Sequence, residues 1–165
     1  FELYPTNHNT EEGNGTSVAI SGDTILFGAP LWRTNNGRWW SVGVVFAFIR
    51  KGDQWVQQGG EITPANRRAD SRFGASVALD GDTALVGEPM HNPPTAHLVA
   101  NDDGRGAAYI FVRKGGAWME QARLAPKDSS VGDLFGESVA LSGNYALIGA
   151  PATSETAGSS PLASR

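Results

Sequence analysis

The chain contains no cysteine. That excludes a disulfide framework, a thiolate metal site and a cysteine nucleophile. It leaves the compartment open, because a chain able to bury a core persists outside the cell without disulfides. Long hydrophobic runs are missing as well. Nothing approaches the roughly 20 consecutive apolar residues that cross a bilayer as a helix, so no membrane span is expected. There is no excess of positive charge: 13 basic against 17 acidic side chains leave a net charge of −4, which argues against a nucleic-acid partner. An initiating methionine and a signal-peptide pattern are also lacking, and a chain starting Phe1-Glu2-Leu3 reads as processed or excised.

Glycine and proline are abundant, at 21 Gly and 9 Pro in 165 residues, a length that suits one domain. Hydrophobic residues make up 40%, and 15 aromatics are spread along the chain, which sets it apart from disordered compositions. This balance suits many short strands joined by tight turns, an all-β fold.

The strongest signal is self-similarity. Gly15-Thr16-Ser17-Val18-Ala19-Ile20 returns as Gly74-Ala75-Ser76-Val77-Ala78-Leu79 and as Gly136-Glu137-Ser138-Val139-Ala140-Leu141. Thirteen residues after each opening glycine stand Gly28-Ala29-Pro30, Gly87-Glu88-Pro89 and Gly149-Ala150-Pro151. The turns between them are Ser21-Gly22-Asp23, Asp80-Gly81-Asp82 and Ser142-Gly143-Asn144. A second block runs from Gly43 to Gly52 with Trp55, and again from Gly106 to Gly115 with Trp118. A third places Ile62 and Pro64 before Phe73-Gly74, and Leu124 and Pro126 before Phe135-Gly136; Leu3 and Pro5 stand in the same places before Gly15. The openings are 59 and 62 residues apart.

One period predicts four strands: A (16–20), B (24–28), C (43–49) and D (54–62). Asp-Gly and Ser-Gly turns suit tight hairpins, since glycine takes the positive φ they need. Stretches such as Val44 to Ile49 are apolar at consecutive positions, so both faces of the sheet must be covered. Four-stranded antiparallel sheets stacked face to face are the blades of a β-propeller. The expected core includes Val18, Ile20, Leu26, Phe46, Phe48, Val77, Leu79, Leu85, Phe111, Val139, Leu141 and Leu147, with Trp55 and Trp118 as repeated core positions.

Phe73-Gly74, Phe135-Gly136, the Ser-Val-Ala strands and the Gly-Ala-Pro or Gly-Glu-Pro strand ends resemble the FG-GAP repeats of integrin α-subunit propellers and their relatives. The resemblance covers essentially the whole chain. It implies a seven-bladed ring, usually extracellular, used for binding rather than catalysis. The calcium-binding version of the repeat carries an acidic loop between strands A and B. Here that connection is a short turn, too small to wrap an ion that takes six to eight oxygens, so no metal or other cofactor is expected.

On this reading, residues 1–14 hold a closing D strand and loop, 15–73 the first blade, 74–135 the second, and 136–165 strands A and B of a third, about 2.75 blades. Eleven strands do not divide into whole four-stranded blades, and an isolated arc exposes apolar end faces. The expectation is a second polypeptide that completes the ring and stays bound after cleavage within the small, polar stretch 152–165.

The B–C connections, 31–42, 90–105 and 152–165, ignore the repeat, and unrepeated loops on a repeated scaffold are where function is placed. The first carries Trp32, Arg33, Arg38, Trp39 and Trp40, a composition suited to binding hot spots and to stacking on sugar rings. Alternatively, one or two of these tryptophans pack on a neighbouring blade. The second carries His91, His97, Asp102 and Asp103; two His and two Asp could form a metal site, but their spacing matches no known pattern closely, and the acidic part is also ordinary turn chemistry. Asp128 and Asp133 read as turn-capping residues. Ser17, Ser76 and Ser138 repeat without a companion His or Asp, so they are structural rather than nucleophilic. Asn14-Gly15-Thr16 is a glycosylation sequon. These features favour a non-catalytic, secreted or cell-surface binding and adhesion propeller, lectin-like or protein-recognising, using the B–C loop face. A polysaccharide-acting enzyme and a structural subunit of an extracellular assembly are the alternatives.

Overall fold

A computed structural model describes residues 3–6, 14–33, 41–68, 70–90, 105–128, 130 and 132–151. Ten strands and no helix occur among them. The first sheet is β1 (Ser17–Ser21), β2 (Thr24–Ala29), β3 (Val44–Lys51) and β4 (Gln54–Gln57), in that order and antiparallel throughout. The second repeats it with β5 (Ser76–Asp80), β6 (Thr83–Glu88), β7 (Ala107–Lys114) and β8 (Ala117–Leu124). A third begins with the hairpin β9 (Ser138–Ser142) and β10 (Tyr145–Gly149). Registers agree position by position: Val18 pairs Phe27 as Val77 pairs Val86 and Val139 pairs Ile148. These are propeller blades, as the repeat predicts.

Strand D of the first blade is shorter than expected. Pairing stops at Gln57, then Ile62 returns to bond Val45 in both directions. Gly59-Gly60 fall in the gap, and glycine accommodates such a bulge. The second blade absorbs a smaller irregularity between Ile110 and Phe111 and keeps β8 whole.

The seam between the first two blades is a continuous core. Leu26, Val45, Ala47 and Ile62 meet Phe73, Val77, Ala84, Val86, Tyr109 and Phe111, with Ala19, Leu79 and Trp118 at its margin. Phe73 presents its ring edge to Tyr109 and Phe111 at 5.6 and 6.0 Å. Hydrogen bonds recur at each seam. The Ser17 hydroxyl donates to the Gly74 carbonyl and the Ser76 hydroxyl to that of Gly136, at 2.8 and 2.7 Å. The Gly81 amide donates to Ser21 Oγ, and the Gly143 amide to Asp80 Oδ2. The backbones approach so closely that a Cβ at Gly28 or Gly87 would run into the Gly74 or Gly136 carbonyl oxygen.

The expected core requires corrections. Leu26, Phe46, Phe48, Val77, Leu85 and Phe111 are buried. Val18, Ile20 and Leu147 are exposed at 69%, 65% and 71%. Val18 and Ile20 lie on the first blade's outer face and Leu147 on the third blade's far face, where no other described blade is stacked. Leu79, Val139 and Leu141 are partly buried. Trp55 and Trp118 are half-buried, packed on the edges of the two cores rather than inside them.

Candidate functional site

Strand alternation sends the B–C and D–A connections to one end of the blades. The first B–C connection leaves β2 at Ala29, whose carbonyl accepts from the Trp32 amide. It returns at Val42 and Gly43, whose amides both donate to the Trp32 carbonyl, at 2.8 and 3.3 Å. Arg33 bridges to Ser41. The described ends of the loop are therefore held together at its base.

Trp32 helps to hold that base. Its ring lies edge-on to Phe46 at 5.0 Å, and its indole N–H donates to Glu61 Oε1 at 3.1 Å. It is only 3% exposed, so it has no free face for a ligand and leaves the set of stacking residues expected from sequence. Arg33 is exposed beside it. Arg38, Trp39 and Trp40 lie outside the described residues, as do His91, His97, Asp102 and Asp103.

The D–A connection between the first two blades ties both loops down. The Ser41 amide and hydroxyl donate to Asp70 Oδ1 at 3.3 and 2.9 Å, and the Asp70 amide donates back to the Ser41 carbonyl. The next residue, Ser71, accepts on its carbonyl from the Met90 amide, where the second B–C connection starts. Adjacent residues thus anchor the two unrepeated loops. Asp70 has φ of 57°, a left-handed conformation that Asp tolerates better than most residues.

At the end of β6, where the second B–C connection begins, lies a pair that sequence reasoning passed over. Glu88 is fully buried, and its Oε2 accepts from the Tyr109 hydroxyl at 2.7 Å, while Oε1 has no hydrogen-bond partner among the described residues. Burial pushes the Glu88 carboxyl above its ordinary range, against the pull of the Ser71 and Tyr109 hydroxyls and of Arg123 and Arg68. Tyr109 is raised too, by burial and by the negative charge of Glu88. A signal existed in the repeat: Glu88 stands where the other units have Ala29 and Ala150, and Tyr109 where the first has Phe46. The two departures face one another.

Three other acidic residues have local partners. Asp133 Oδ2 accepts from the Ser130 amide at 2.6 Å, which caps a turn. Asp82 is ion-paired to Arg113 at 2.6 Å, and Asp23 lies 3.9 Å from Arg50. Among the described residues no group of three or more His, Asp or Glu side chains could hold a metal. A shallow groove of about 430 Å³ lies between Leu3, Tyr4 and Thr6 and the Phe48, Trp55 and Gln57 side chains, on the outer face of the first blade rather than between the loops.

No curated protein matches the chain. The FG-GAP repeat family model matches residues 55–111 and 118–161, more than half of the sequence. With the repeated blades and their Phe-Gly seams, this shows that the chain belongs to the FG-GAP repeat family.

Proposed function

We propose that the chain is part of a secreted or cell-surface adhesion propeller that binds a protein or glycan at the end where the B–C and D–A connections emerge. FG-GAP propellers commonly serve binding and adhesion, which is the coarse basis of this reading. The observation that carries it is the shared anchorage of the two unrepeated loops on the neighbouring residues Asp70 and Ser71. Two loops rooted side by side on rigid sheets can present one composite surface. The first loop brings Arg33, Arg38, Trp39 and Trp40. The second brings His91, His97, Asp102 and Asp103. Arginine and tryptophan supply planar hydrogen bonding and large contact area, and indoles stack on sugar rings.

The perturbed acid Glu88 does not favour an enzyme, because at 0% exposure its carboxyl cannot meet a substrate. The test is a combined glycan and extracellular-protein array, with a polysaccharide panel assayed for turnover. Binding that disappears in an Arg38→Ala, Trp39→Ala, Trp40→Ala variant is expected. Turnover of a polysaccharide, or binding indifferent to those changes, would overturn the reading.

A further inference from the structure

We propose that the ligand of the loop-bearing end is an acidic polysaccharide, held through its carboxylates or sulfates by Arg33, Arg67, Arg68 and Arg72. The inference rests on the reading of that end as the binding face, and it names the ligand's chemistry.

The backbone gathers these arginines around one hub. Arg33, where the first B–C connection leaves its blade, bridges to Ser41, where the same connection returns. Ser41 holds Asp70 through its amide, hydroxyl and carbonyl. Arg68 and Arg72 flank Asp70, two residues to either side. Arg67 lies 3.6 Å from Glu61 Oε2, and the other oxygen of Glu61 accepts from the indole of Trp32, the neighbour of Arg33. Arg33, Arg67 and Arg72 are exposed, and Arg68 is half-buried.

The scaffold does not require arginine at these places. The next D–A connection has the same length from Pro126 to Phe135 as this one from Pro64 to Phe73, and it carries Ser129, Ser130 and Leu134 where this one carries Arg67, Arg68 and Arg72. Leu134 even takes the same left-handed backbone as Arg72, both at φ 57°. The side chains therefore vary on a fixed frame, as binding residues do.

The nearby carboxylates are already engaged. Asp70 accepts from Ser41, Glu61 is shared by Trp32 and Arg67, and Glu88 is fully buried. Among the described residues Arg33 and Arg72 form no ion pair. The opposite end of the blades differs: Arg113 is paired with Asp82 at 2.6 Å, Arg50 lies 3.9 Å from Asp23, and Asp53 and Asp80 accompany them. A chain of net charge −4 thus keeps an excess of positive charge around the hub that anchors its unrepeated loops.

The guest's chemistry follows. A guanidinium fork takes a carboxylate or sulfate with two parallel hydrogen bonds. Each exposed ion pair is weak and screened by salt, so useful affinity needs several anionic groups on one ligand, which a polymer supplies. Nucleic acid fits poorly, because the chain's net negative charge repels a polyphosphate. A sugar polymer suits the hub better than an acidic peptide, because the connection rooted at Arg33 also carries Trp39 and Trp40, and indoles stack on sugar rings.

The test is binding of the full chain to immobilised polygalacturonate, dextran sulfate and neutral dextran, with polyglutamate and duplex DNA as polyanions without that sugar chemistry. Binding to polygalacturonate or dextran sulfate but not to dextran is expected, weakening about tenfold between about 50 and 300 mM salt. Arg33→Gln combined with Arg72→Leu, which copies Leu134, should weaken it about tenfold or more at an unchanged melting temperature. Arg50→Gln combined with Lys51→Gln, at the opposite end, should leave it intact. Failure to bind either acidic polysaccharide, equal binding of polyglutamate or DNA at matched charge, or binding indifferent to Arg33 and Arg72 would overturn the proposal. A neutral glycan bound in place of the polyanions, and lost in a Trp39→Ala, Trp40→Ala variant, would overturn the acidic ligand and leave the loop end as the binding face. Polysaccharide binding abolished by the Arg50 and Lys51 changes would overturn both.

Discussion

The Ser17 hydroxyl donates across the seam to the Gly74 carbonyl at 2.8 Å, and 59 residues further on Ser76 does the same to Gly136. A serine that recurs in register therefore works as a strap between blades. Ser17→Ala and Ser76→Ala should each cost about 1 kcal/mol, the net worth of a hydrogen bond whose carbonyl is left partly unpaired. Gly87→Ala should cost more than either, because its methyl group meets a backbone oxygen. Urea denaturation of the three variants checks the order.

Burial separates residues that the repeat makes look alike. Phe111 is 1% exposed within the seam, and Phe111→Ala should cost about 3–5 kcal/mol. Val18→Ala, at a face 69% exposed, should stay within about 0.5 kcal/mol in the same chain. Equal effects would mean that the strand is misplaced or that Val18 is covered in solution.

Glu88 gives stability a defined pH dependence. Its carboxyl is raised in the folded protein above the ordinary value of 4.5, so between those two values the folded state holds the proton that the unfolded chain releases. Its contribution is complete below the ordinary value and is lost as pH rises through the elevated one. Glu88→Gln retains an acceptor for the Tyr109 hydroxyl and removes the titration. Melting temperatures from pH 4 to 8 should fall more for the parent than for Glu88→Gln; parallel curves would show that Glu88 ionises freely.

Calcium should leave the melting temperature unchanged. The A–B turns are two-residue connections, and the carboxylates of Asp23 and Asp82 face Arg50 and Arg113. A rise of several degrees on adding calcium, reversed by chelator, would contradict this.

Much of the scaffold was legible because each unit states its strands, turns and seam residues in the same order. What the repeat could not say is which side of a blade is covered. Val18 and Val77 have the same neighbours in sequence, yet among the described residues only Val77 has a blade against it. The D strand was read too long in the first unit because the pairing breaks at Gly59-Gly60, two residues that carry no apolar signal. Trp32 reads as an exposed hot spot until its indole is seen bonded to Glu61. The Glu88–Tyr109 pair could have been found by asking where two departures from the repeat coincide. Asp70 gave no such signal, since its role depends on a left-handed backbone and a tertiary contact with Ser41.

The central claim is a division of labour: repeated seam residues hold the blades, and unrepeated loop residues bind. It is tested most directly by measuring binding to the array ligand and melting temperature together, for two variants of the full chain. Arg33→Ala, Arg38→Ala, Trp39→Ala and Trp40→Ala combined should abolish binding and leave melting nearly unchanged. Ser17→Ala should lower melting and leave affinity intact at a temperature where the variant is folded. Full binding by the fourfold loop variant, with its blades intact, would contradict the account.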